Sequence, residues 1–318
     1  MKSEIRIMRE VFIEQIYKRM RTDKNILFLS ADFGAPMLDK LRMTFKNRFF
    51  NVGIAEQNLI NISTGLALEE FVVYVYALAP FLTMRAYEQL KINVSLLTQL
   101  RPLNINLIGV GAGISYDLSG PTHHSLEDIS IIRALPNIEF FSPSDSVLVE
   151  KFFDYSIEVK KPKYLRLDGK PLANIYSDKK KINWKEGLCE LRKGEKVCLV
   201  TTGYMTQKAI KLARELSKQN INIGVIDVFM LKPFNQFFFL KTIKKYQTAI
   251  TLEEAFVNKG GLDSIISCTL HNNNSNIRLK TMGLADKYVF DLGAREYLHK
   301  LNKLDEENII KNIKELLS

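Results

Sequence analysis

Two stretches of this 318-residue chain carry side chains whose types and spacing suit chemistry. The first, residues 51–58, reads N-V-G-I-A-E-Q-N. Gly53 breaks a short apolar run and a helical pattern starts directly after it, so Glu56 falls in the first turn of a helix. A carboxylate there is favoured by the positive end of the helix dipole, which is an ordinary structural role. Held half desolvated, the same group can instead exchange a proton with a bound heterocycle. The second stretch, residues 120–124, reads G-P-T-H-H and also precedes a helical pattern. Adjacent His123 and His124 are poor metal ligands together, and His271 and His299 lie far off in sequence, so no zinc site is expected. Asp117 and Ser119 stand just upstream. Asp32 sits in S-A-D-F-G, where it can be a turn or cap residue.

These residues need a frame, and the periodicity supplies one. Residues 4–22 read as an amphipathic helix with Ile5, Met8, Phe12 and Ile16 on one face. Strands are expected at Ile26–Ser30, 72–76, 104–110, 138–141 and Lys163–Leu167, the last being the final strand of its domain. Helices are expected at 81–97 and 144–159, the latter with Asp145 in its first turn. In the Glu56 helix, Ile54, Ala55, Leu59, Ile62 and Leu66 are expected to face a core. Ser125 and Asp128 fit a capping box opening a helix at Leu126. Gly109, Gly111 and Gly113 miss the G-x-G-x-x-G spacing because the third glycine comes one residue early, so a flexible loop is expected rather than a dinucleotide site. Residues 171–187 mix Gly, Pro, Asn, Ser and lysines and read as a linker. The rhythm then resumes: strands at 196–201, 223–228 and 248–253, a helix at 206–218, another opened by Gly260 and Gly261, and a last one near Glu306–Leu317. Strands alternating with helices imply mostly parallel sheets with helices on both faces. The expected fold is α/β: two α/β/α three-layer domains, at 1–170 and 188–318.

N-V-G-I-A-E-Q-N resembles the transketolase segment that carries the Glu acting on thiamine diphosphate. G-P-T-H-H, T-L-E-E-A and L-K-P-F are similar to further segments of that family, in the same order. The resemblance covers nearly the whole chain and is to the C-terminal half of a transketolase, or to the small subunit of a split one. It implies a pyrimidine-binding domain followed by a transketolase C-terminal domain. It also implies that Glu56 hydrogen-bonds a pyrimidine nitrogen, favouring the imino form that deprotonates the thiazolium carbon. Phe81 would stack on the aminopyrimidine, a contact worth about 0.5–1.5 kcal/mol beyond its buried area. Leu78 stands where the family often has a second Phe; it can pack but not stack. Asp32 would lie near the cofactor at a subunit interface. His123 would sit in the substrate channel, bonding sugar oxygens and helping proton transfer.

The sequence also departs from the family. Ser119 stands where an Asp reads donor hydroxyls, with Asp117 close but out of register. Gly111 falls on a family His. The family Arg after Lys163–Leu167 has no clear match, although Arg166 and Lys170 are near. Such changes imply altered sugar or sugar-phosphate selectivity. The family's G-D-G motif with a downstream Asn, which holds Mg²⁺ and the diphosphate, is missing. The resemblance therefore implies a companion subunit that carries them, ketol transfer by the two chains together, and a symmetric assembly. Alternatives are a deoxyxylulose-phosphate synthase-like chain, which shares R-A-Y-E-Q-like segments, a 2-oxoacid dehydrogenase beta-like chain, or a non-catalytic partner.

Composition narrows the class. Hydrophobic content of 46% and charge of 25% are those of a globular protein. The formal net charge is +10 with a pI near 9.3. No basic block is interleaved with aromatics as a nucleic-acid groove requires, so anionic substrates or an acidic partner are the better match. Three cysteines without metal spacing suggest reduced thiols in the cytosol. The charged N-terminus has no apolar signal core, and the longest apolar stretch, 71–84, is too short to span a membrane. A cytoplasmic location is the expectation.

Overall fold

The computed structural model describes residues 5–317. Its first half runs β1 (Ile5–Arg6), α1 (Met8–Met20), β2 (Ile26–Ser30), α2 (Pro36–Thr44), β3 (Phe49–Asn51), α3 (Glu56–Leu68) and β4 (Val72–Leu78). A helical segment follows in which π-helical turns, Phe81–Arg85 and Leu90–Leu96, flank α4 (Tyr87–Gln89). Then come β5 (Ile105–Val110), α5 (Asp128–Ala134), β6 (Glu139–Phe141), α6 (Ser146–Glu158), β7 (Lys163–Leu167) and β8 (Leu172–Ala173). The second half runs β9 (Leu188–Arg192), β10 (Val197–Thr201), α7 (Tyr204–Ser217), β11 (Gly224–Val228), β12 (Met230–Lys232), α8 (Gln236–Ile243) and β13 (Thr248–Phe256). It ends with α9 (Leu262–Asn272), β14 (Arg278–Leu284), α10 (Arg295–Leu301) and α11 (Glu306–Leu317).

Two α/β domains result. The first sheet has the order β12-β6-β7-β5-β4-β2-β3 and the second β14-β13-β10-β11-β9. Their strands are parallel except for β12, antiparallel to β6, and β9, antiparallel to β11. Alternation along β2 shows why helices must cover both faces. Leu27 and Leu29 join one core with Val73 and Val75, while Ile26 and Phe28 join another with Tyr74 and Tyr76. The first of these cores also contains Cys198, Val200 and Ile226 of the second domain, so the apolar interior is continuous across the two sheets.

Several expectations are corrected. Glu4 lies outside the described residues, and Ile5 is exposed in β1, paired with Ala173, so α1 begins at Met8. The last strand of the first sheet is not Lys163–Leu167: β12 crosses over from the second half and pairs with β6, Met230 opposite Phe141. Residues 171–187 are not a free spacer. Asp145 caps α6 through Leu148 N and also accepts from Ile175 N and Tyr176 N, while Trp184 packs edge-on against Phe141 and Phe152.

The inward face of α3 also differs. Ile54 precedes the helix and is exposed, as is Ile62; the buried residues are Glu56, Leu59, Ile60, Ser63, Thr64 and Ala67. Periodicity misjudged the phase because this face carries polar residues. Ser63 and Thr64 bond back to Leu59 O and Ile60 O, at 2.6 and 2.9 Å, which lets hydroxyls enter the core. Glu56 therefore lies on the core-facing stripe, at its first turn.

The expected capping box at α5 does not form. Ser125 is buried two residues before Glu127, which precedes the helix without a side-chain cap, and Asp128 turns inward to Arg166 and Tyr164. Nor is the glycine loop loose. Gly111 N and Ala112 N donate to Leu167 O, and Gly113 and Ser125 exchange backbone bonds in both directions.

Candidate active site

The residues singled out by sequence gather at the carboxyl ends of the parallel strands, where open α/β sheets bind ligands. Ala31–Asp32 follows β2, Gly53 follows β3, Phe81 follows β4 and Gly111 follows β5. The chain reverses beyond each strand, so the side chains of these turns converge while the sheet holds their spacing.

Four side chains form one cluster. The Glu56 side chain is only 3% exposed, and its Oε2 accepts from Arg85 Nη1 at 2.8 Å. The Arg85 guanidinium also lies over the Phe81 ring, with Cζ 4.6 Å from the centroid. The other neighbour of Phe81 is His123, whose ring meets it edge-on at 5.3 Å. Glu56, Phe81 and His123 are thus brought together from α3, the π turn after β4 and the G-P-T-H-H loop. A planar group bearing N–H donors is bonded by the carboxylate and stacked on the ring at once; at present that group is Arg85. The π-helical turn at Phe81–Arg85 widens the backbone at this point, a departure from α geometry often found at functional sites.

The remaining residues have other surroundings. Leu78 is half-buried at the end of β4, three residues before Phe81. Asp32 is exposed with φ +47° and is bonded reciprocally to Asn51, whose Oδ1 also accepts from Gly53 N at 3.0 Å. Asp32 therefore braces the turn that leads into α3. Ser119 is exposed, whereas Asp117 is buried and ion-paired with Lys170. Arg166 is buried against Asp128 and is not free to receive an anionic substrate. His124 is buried with neither ring nitrogen bonded to protein, and burial lowers its pKa.

Sequence reasoning missed Arg85, although it follows Phe81 by four residues, one turn along the same helical segment. It also missed Tyr116. Gly111 has φ +102°, and a Cβ there would fall 2.5 Å from the Tyr116 ring, so a larger residue does not fit that position. Tyr116 occupies the space, its hydroxyl 3.2 Å from Arg9 Nη1.

Behind the loop lies a buried ionic network contributed largely by the second domain. Glu254 Oε1 meets Arg295 Nε at 2.7 Å and His299 Nε2 at 2.6 Å, and Arg295 Nη2 reaches Asp168 at 2.7 Å. Burial opposes the charge of Glu254, but Arg295 and His299 overcome it and hold the carboxyl well below the usual range. Ile114 N also faces Glu254 Oε2, which ties the His123 loop to β13. A separate cleft of about 520 Å³, lined by Tyr204, Gln207, Lys208 and Arg214, lies in the second half away from Glu56. Among the described residues, no three His, Cys, Asp or Glu side chains converge as metal ligands.

Comparisons with known proteins bear on this arrangement. The transketolase pyrimidine-binding domain matches residues 6–172 and the transketolase C-terminal domain residues 188–309. One of the two subunit types of an apulose-4-phosphate transketolase, from Actinobacillus succinogenes, is 34% identical over 267 residues, covering 84% of each chain. The 6-deoxy-6-sulfo-D-fructose transketolase subunit SqwH of Clostridium sp. (strain MSTE9) is 28% identical over 305 residues, 96% of this chain and 92% of that one. A solved structure described as a split gene transketolase, inactive beta4 tetramer, superimposes with a TM-score of 0.86 at 25% identity, covering 97% of both chains. With both domains matched and a relative above 30% identity across most of its length, this chain belongs to the transketolase family, as a counterpart of the small subunit of its split members.

Proposed function

We propose that this chain is one half of a thiamine diphosphate-dependent enzyme that transfers a two-carbon ketol unit to an aldehyde sugar. One observation carries the reading: a carboxyl buried at a strand end, paired with a flat N–H donor that rests on an aromatic ring. An aminopyrimidine has the same two features, a face and an edge donor, so the residues fit that end of the cofactor. When bound, the cofactor supplies the nucleophilic carbon that takes up and releases the ketol unit.

The protein's own residues have separate tasks. Glu56 Oε2 holds the proton-bearing ring nitrogen and so fixes its protonation state. The low exposure of Glu56 strengthens that bond by excluding water. Phe81 orients the ring plane. His123, edge-on to Phe81 with Nδ1 3.0 Å from Thr122 Oγ1, offers a ring nitrogen for sugar oxygens and for proton movement. Leu78 packs beneath the ring, and Asp32, through Asn51, keeps the turn before α3 in place.

The diphosphate and its Mg²⁺ belong to a companion subunit, because no G-D-G segment is present in the sequence. The inactive tetramer of the split-gene relative supports this: carried to this chain, it implies self-association without turnover until the companion joins. The relatives named for an apulose phosphate and a sulfo-sugar support an anionic, uncommon sugar as substrate. Exposed Ser119 and the half-exposed Lys170, in place of the usual ligands, fit altered selectivity.

The test is reconstitution. This chain is mixed with a candidate companion, thiamine diphosphate and Mg²⁺, and transfer from hydroxypyruvate to an aldehyde is followed. Turnover only in the mixture is expected. Full turnover by this chain alone, with tight cofactor binding, ends the proposal.

A further inference from the structure

We infer that Arg85 is a built-in surrogate for the aminopyrimidine: it occupies the ring's subsite in the cofactor-free chain and swings out when the ring enters. The inference rests on the thiamine reading above and adds a device to it. Three observations carry it. Arg85 Nη1 donates to the Glu56 carboxylate at 2.8 Å, where a ring nitrogen would. Its guanidinium covers the Phe81 face that a ring would need, 4.6 Å from the centroid. The two ends of the pair differ in burial: Glu56 is 3% exposed but Arg85 is 45% exposed.

That asymmetry makes the exchange feasible. A carboxylate buried without a donor is strongly unfavourable, so an empty site needs a partner for Glu56. A guanidinium is flat, weakly hydrated and suited to stacking while donating at its edge. It satisfies both Glu56 and Phe81 without any ligand. Because nearly half of Arg85 already meets solvent, its departure strands no cation in the interior. The incoming ring replaces one donor with another and one stacked plane with another. The site is thereby kept ordered before loading, and ring affinity is reduced by the fraction of molecules in which the latch is open. Arg85 is a positioning residue here, since it acts through Glu56 and Phe81.

The probe is thiamine, which carries the aminopyrimidine without the diphosphate, titrated into the full chain. Relative to wild type, Arg85→Met removes the latch and is expected to tighten thiamine about tenfold. Arg85→Lys, which keeps the charge but loses the flat face, is expected to tighten it less and serves if the methionine variant does not fold. In the wild type, the Arg85 Nε–H resonance is expected to move toward that of a solvated arginine as thiamine saturates. Weaker or unchanged binding in both Arg85 variants, with Glu56→Gln still weakening binding, overturns the latch and leaves the cofactor site standing. Absence of thiamine binding in every form overturns both.

Discussion

The Arg166 guanidinium donates its Nε to both oxygens of Asp128, at 2.8 and 3.1 Å, with both side chains buried. Its Nη2 reaches Ser125 O at 3.0 Å and Glu254 O at 3.1 Å. One side chain on β7 thus fixes α5, the segment just after His123 and His124, and a strand of the second domain. Arg166→Met leaves Asp128 buried without its cation. A loss of about 3–5 kcal/mol is expected, read as a lower urea midpoint. Adding Asp128→Leu to that variant should restore most of the loss; no recovery in the double variant would count against an ion-pair origin.

Glu56→Gln keeps the size of the side chain but removes its charge and its basicity. Ketol transfer by the reconstituted pair is expected to fall at least about 100-fold. Far-UV circular dichroism and the melting temperature should stay close to wild type, because Gln can still accept from Arg85. Surviving activity would show that the proton role lies elsewhere.

Asp227 gives a pH signature. Burial pushes its carboxyl up from 3.8 to about 6, although Ser144, Thr206 and Tyr176 all donate to it. The folded state therefore holds this proton more tightly than the unfolded chain. Its contribution is fully present below pH 3.8 and is lost as pH rises through about 6. Two pH units correspond to about 3 kcal/mol. Asp227→Asn should flatten the curve of urea midpoint against pH between 4 and 6. Glu253, pushed up to about 7 by burial and Asp263, titrates in an overlapping window, so the quantity read is the difference in slope between the two proteins. Parallel curves would show that Asp227 does not carry it.

Gly111 tests why a residue of the family is missing. Its φ of +102° is closed to most side chains, and the Tyr116 ring fills the space a Cβ would take. Gly111→His is expected to cost about 1–3 kcal/mol from backbone strain alone, and more from the clash. Tyr116→Ala in the same chain should remove the clash and leave the strain. A thermal scan of the single and double variants separates the two contributions; a stable single variant would contradict the geometry.

Much of the frame was legible because burial imposes short periods on sequence. The runs at Ile26–Ser30 and Lys163–Leu167 are strands, and Leu262, Ile265 and Ile266 line the buried side of α9. Reading failed where a local pattern served a distant partner. Asp128 has the spacing of a capping residue, but Arg166 lies 38 positions away and takes it. Met230–Lys232 is only three residues long, and its place in the first sheet depends on β6, nearly ninety positions upstream.

The sequence by itself determined the domains' α/β character, the placement of Glu56 at a helix start, and the motifs that mark the family. Those properties follow from neighbours along the chain, whose spacing alone fixes which face a residue occupies. Only the tertiary structure decided that Glu56 is buried, that Arg85 and Phe81 share it, and that His123 closes the cluster from the other side. Charge pairing and stacking act through space at a few ångströms, and no local pattern encodes which residues the folded sheet brings within that reach.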